Sequence, residues 1–105
     1  MPGTDQLTAL ADPTRRSIVE LLRGSPASVR ELTDQLDVSQ PAVSHHLKVL
    51  REASLARCTA RGASNLYSLD RAGFVEVRRY LDDLWDDVLD AFVEATADAG
   101  GEDST

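Results

Sequence analysis

Gln40, Ser44, His45 and Lys48 fall on the outer side of one helical stretch, and their side chains suit the reading of DNA bases. A glutamine amide can pair bidentately with adenine, serine and histidine hydrogen-bond at short range, and lysine reaches guanine or a phosphate. Ser39 can cap this stretch and bond a phosphate, with Pro41 tolerated in the first turn. Arg57, Arg61 and Asn65 sit about a glycine-containing turn, Arg61-Gly62-Ala63-Ser64, where arginine suits a backbone phosphate or a narrow minor groove. Arg15 and Arg16 are candidate phosphate contacts, a local pairing with an acid being the other role open to them. His46 lies about 100° around the helix from His45, at the margin of the apolar face, so a structural hydrogen bond is expected of it.

The elements that must position these groups follow from caps and periodicity. Leu7 and Leu10 mark a short opening helix, and Asp12-Pro13 reads as an N-cap followed by proline at the first position of the next. Ile18, Leu21 and Leu22 form its stripe, with Gly24 as its stop. Ser28 caps a third helix carrying Val29, Leu32 and Leu36. After the brief Asp37-Val38 turn, a fourth runs from Gln40 to about Glu52, with Val43, Leu47, Leu50 and Ser54 along one side. Two helices so closely joined predict a helix-turn-helix. Leu55–Ala60 and Asn65–Leu69 read as the strands of a hairpin, or wing. Asp70 then caps a long final helix, about 71–99, followed by a small, polar tail, 100–105, expected to be disordered.

Charge separates along the chain. The net charge is −7, but residues 1–69 hold eight cations against seven acids, while residues 70–105 hold three against eleven. Between 39 and 69 four cations face one acid, Glu52. The local field at such a face outweighs the total, because screening acts within roughly 8 Å at physiological salt. Asp82, Asp83, Asp86, Asp87 and Asp90 fall on the polar face of the last helix and read as a solvated surface. At 105 residues a single domain, 1–99, is expected. The lone Cys58 excludes an internal disulfide and fits a reducing compartment. No apolar run reaches membrane-span length and no signal-peptide pattern opens the chain, so a cytoplasmic location is expected. No nucleophile–base set, phosphate loop or zinc spacing is present; neither an enzyme nor a cofactor is expected.

Along the last helix Phe74, Val77, Leu81, Leu84, Val88, Ala91 and Ala95 alternate spacings of three and four, a heptad seam widened by Trp85, Leu89 and Phe92. A small head cannot cover all of it. A second copy is the simplest partner, which makes Leu7, Leu10, Val77, Leu81, Leu84, Trp85, Val88 and Phe92 the candidate dimer interface.

These residues resemble the ArsR/SmtB family of winged helix-turn-helix repressors. The likeness rests on Ala9-Leu10-Ala11-Asp12-Pro13-Thr14-Arg15-Arg16, on Val38 to Leu50, and on Leu66-Tyr67-Ser68-Leu69, and spans roughly 7–95. It implies a mainly α fold of about five helices with a two-stranded wing, and a homodimer through the first and last helices. It also implies a partly palindromic double-stranded DNA operator, with helix contacts carried over to Gln40, Pro41, Val43, Ser44 and His45. Two metal-ligand patterns of that family are missing. Ser28-Val29-Arg30 stands where many members have Cys-x-Cys, and no histidine follows His46. No metal is therefore expected, and the inducer is not legible. Two functions fit: a sequence-specific repressor, its own promoter among the candidate sites, or a winged-helix protein-interaction module without an operator. Salt separates them, since affinity through Lys and Arg falls steeply as salt rises.

Overall fold

The caps expected of the sequence form where their side chains can reach. In the computed structural model, which describes residues 3–100 and side chains through residue 95, α1 spans Thr4–Ala11 and α2 Pro13–Gly24. Asp12 accepts the Thr14 and Arg15 backbone N–H groups at 2.8 and 3.0 Å. The Arg15 N–H holds the Asp12 carboxyl below its ordinary pKa, against an opposing effect of desolvation, with Thr14 and the Arg15 charge adding to the pull. Ser28 opens α3 (Val29–Gln35) with a reciprocal capping box to Glu31. Ser39 opens α4 (Gln40–Glu52) by accepting the Ala42 N–H at 3.2 Å.

The fold is mainly helical, with one antiparallel hairpin, as expected. β1, Ala56–Arg61, lies one residue later than expected and β2, Ser64–Leu69, begins one residue earlier and ends as expected, with Arg61 opposite Ser64. The loop is therefore two residues, Gly62-Ala63, not four. Gly62 at φ 60° followed by a residue of negative φ is the φ pattern of a II′ turn, which matches the twist of paired strands. Leu55, expected in the strand, belongs to the core. A further backbone pair was not foreseen. Ala27 and Tyr67 exchange N–H···O bonds of 2.9 and 2.8 Å, tying the base of the wing to the α2–α3 connection.

Ile18, Leu32, Val43, Leu47, Leu50 and Leu55 form the fully buried centre of the head. Ser54, expected on the buried side of α4, lies past its end and is exposed. It adopts φ 59°, and the Ser54 and Leu55 N–H groups return to the Arg51 and Leu50 carbonyls. That is a Schellman stop with serine in the place glycine usually takes. α5, Arg71–Gly100, starts against this stop. Asp70 accepts the Ala72 N–H, and the Gly73 N–H donates to Ser54 O at 2.7 Å. A Cβ at Gly73 would collide with the Ser54 and Ala53 carbonyls, so only glycine permits this approach.

At 30 residues α5 is about 45 Å long, and the head covers only its first part. Val77 and Tyr80 are half-buried, whereas every residue from Leu81 to Ala95 is exposed. Gly100, expected to begin the tail, ends α5; the rest of that expected tail lies outside the described residues.

Candidate nucleic-acid interface

α4 has two faces of opposite character. Val43, Leu47 and Leu50 are buried in the head, while Ser39, Gln40, Pro41, Ser44, His45 and Lys48 are all exposed. The helical period puts the base-reading types together on the outer side and leaves the first turn open to solvent. Val43, a contact position implied by the family resemblance, is core here and cannot reach a base.

The wing separates its three expected contacts. Opposed residues share a face of a hairpin and neighbours alternate, so Arg57 and Arg61 lie together with Ser68 and Ser64. Asn65, opposite Ala60, takes the other face, on the side of Cys58 and Tyr67. All three are exposed. Between α4 and the root of β1 runs an open cleft of about 510 Å³, lined by Lys48, Arg51, Glu52, Ala56, Arg57 and Cys58. Arg51 was not singled out in the sequence, although its spacing of three from Lys48 places it on the same flank. Burial of the ring and the neighbouring Cys58 thiol push the Tyr67 phenol pKa up, against the opposing pull of Arg51.

Among the described residues the cations of this surface have no acidic ion-pair partner. The ion pairs among the described residues are Arg23–Glu20 and Arg79–Glu76, so Arg16, Lys48, Arg51, Arg57 and Arg61 keep their charge available. Arg15 differs from its neighbour. Arg16 is exposed, but Arg15 Nε donates to Ala9 O at 2.6 Å and its Nη1 lies 3.2 Å from His46 Nδ1. His46 thus makes the structural hydrogen bond expected of it, with an arginine.

A helix with an exposed polar face flanked by a cationic wing agrees with what related proteins are. The model of the bacterial regulatory protein arsR family matches residues 12–57. The HTH-type transcriptional regulator Rv2034 of Mycobacterium tuberculosis is 44% identical over 96 residues, covering 91% of this chain and 89% of that protein. The chain belongs to the ArsR family. The transcriptional repressor SdpR of Bacillus subtilis is 36% identical over 62 residues, covering 59% of this chain and 69% of its own. An ArsR-like transcriptional regulator from Rhodococcus sp. RHA1 superposes with a TM-score of 0.84 at 23% identity, over 93% of this chain and 92% of its own, which shows the fold. The protein is a DNA-binding transcriptional regulator of the ArsR family, and such regulators are not enzymes. No helix among the described residues is long and apolar enough to cross a membrane.

Sequence reasoning missed one buried polar residue that links α1 to the end of α4. Gln6 is buried; its Oε1 accepts the Gly3 N–H and its Nε2 donates to Ala53 O, both at 2.8 Å. Its spacing from Ala9 and Leu10, three and four residues, put it on the inner face of α1, but a glutamine there carries no signature of its own. Leu7 and Leu10 are half-buried within the protomer, Leu10 against the core. They therefore offer a dimer less surface than the distal part of α5.

Proposed function

We propose that the protein acts as a homodimeric repressor that binds a partly palindromic operator and blocks transcription by occupying it, with its own promoter a candidate site. The observation that carries this reading is the exposed outer face of α4, with Gln40, Ser44 and His45 beside cations that pair with no acid among the described residues. In this reading Gln40, Ser44 and His45 read base edges, and Ser39, Pro41 and Lys48 pack on the adjoining backbone. Arg57, Arg61 and Asn65 work from the wing, and Arg16 holds a phosphate. Exposed Leu81, Leu84, Trp85, Val88 and Phe92 support dimerisation through α5, with Val77, Leu7 and Leu10 at its margin. Two copies then present two recognition helices to two half-sites. Ser28-Val29-Arg30 and the lack of histidine after His46 support a regulator that does not answer to zinc or arsenic through the family's metal sites.

Fluorescence anisotropy with the DNA upstream of the gene and a scrambled duplex, at two salt concentrations, tests the reading. Tighter, steeply salt-dependent binding to the upstream duplex is expected. If both bind equally weakly, selection from random DNA must yield a preferred duplex for the reading to stand. Absence of DNA binding at low salt would favour the protein-interaction module.

A further inference from the structure

We propose that Arg15, His46 and Gln6 are positioning residues that fix the roll of the recognition helix on α1, and that Arg15 acts through His46 and not on a phosphate. The inference rests on the operator-binding reading above.

Two hydrogen-bonded anchors join α1 to α4. At one, Arg15 at the start of α2 donates through Nε to Ala9 O, a carbonyl in the last turn of α1, and through Nη1 to His46 Nδ1. Carbonyls at a helix end lack partners within the helix and carry its negative pole, so a guanidinium there is doubly suited. For Arg15 to donate, Nδ1 must be the unprotonated ring nitrogen, which leaves the proton on Nε2. At the other anchor, Gln6 of α1 donates to Ala53 O at the end of α4.

His46 and Ala53 are seven residues apart, about 10 Å along the helix. One anchor would let α4 pivot; two at that separation oppose both rotation and sliding. His46 is also the immediate neighbour of His45, turned about 100° from it. Whatever sets the direction of the His46 ring therefore sets the direction in which Ser44 and His45 face outward. The rigid fork of arginine bridges Ala9 and His46 at once; a lysine ammonium keeps the charge but not that shape.

A misrolled helix loses base readout but keeps its phosphate contacts, and that distinction makes the proposal testable. The probe is the duplex that the wild type selects from random-sequence DNA, with a scrambled duplex beside it. Arg15→Lys should weaken binding to the selected duplex about tenfold, leave scrambled binding within about twofold, and leave the salt slope unchanged. His46→Leu should show the same loss, and the double variant should lose no more than either alone. His46→Asn, whose Oδ1 can accept in place of Nδ1, should restore most of the preference, which a merely misfolded head would not do. Wild-type preference retained in both Arg15→Lys and His46→Leu overturns the inference. So does an Arg15→Gln variant that weakens both duplexes alike with a salt slope smaller by about one, the signature of a direct phosphate contact. A wild type that selects no duplex overturns the operator reading first, and this inference with it.

Discussion

The head of the molecule and the distal part of α5 treat apolar side chains in opposite ways. In the head, Ile18, Leu32, Val43, Leu47, Leu50 and Leu55 are all less than 2% exposed. In α5, Leu81, Leu84, Trp85, Val88, Leu89, Phe92 and Val93 are 42–68% exposed. Both stretches show helical periodicity, so the pattern alone does not say what covers it. The difference is geometric. α1 to α4 fold back on one another around a shared centre, whereas α5 runs past the last element able to meet it. The head satisfies its own apolar groups, while the arm beyond it leaves its apolar groups exposed.

Breaking the arm should have the largest effect on assembly and little on the head. Leu84→Ala combined with Trp85→Ala is expected to weaken the dimer by about a thousandfold or more, seen as monomer by sedimentation with helical content nearly unchanged. Operator affinity should fall with it, because two half-sites are no longer read together. A dimer unchanged in that variant would refute the seam. The converse experiment attacks the head. Leu50→Ala, at a position with no exposed surface, should cost about 2–5 kcal/mol in denaturant unfolding without removing any apolar group from the arm.

A smaller effect sharpens the joint between the two regions. Ser54 stands in the left-handed conformation at the stop of α4, where a Cβ is unfavourable. Ser54→Gly should therefore stabilise the protein by about 1 kcal/mol, a rise in melting temperature at unchanged DNA affinity. A fall in stability would mean that the serine side chain contributes something its exposure does not suggest.

What was legible in the sequence was local. Asp12, Ser28 and Ser39 announce their helices because a cap bonds backbone two or three residues away, and the starts of α2, α3 and α4 fall where those residues place them. The two-sided character of α4 followed from period alone. What escaped was set by neighbours distant in the chain. Gln6 meets Ala53 across 47 residues, Arg15 meets His46 across 31, and Ala27 pairs with Tyr67. Val93 joins the exposed apolar set of the arm, yet sits off the heptad positions. The wing turn was read two residues too long, because Gly62 beside Ala63 suits either loop length and strand pairing makes the choice.

The most direct test of the central claim, that the outer face of α4 reads DNA sequence, is the affinity of a Gln40→Ala, Ser44→Ala, His45→Ala triple variant for the wild type's preferred duplex. These side chains are exposed and make no internal hydrogen bond among the described residues, so the head should fold as before. A loss of about 1–3 kcal/mol for each base-reading side chain, with binding to scrambled DNA retained, is the predicted result. Equal binding of the wild type and the triple variant to the preferred duplex would contradict the account.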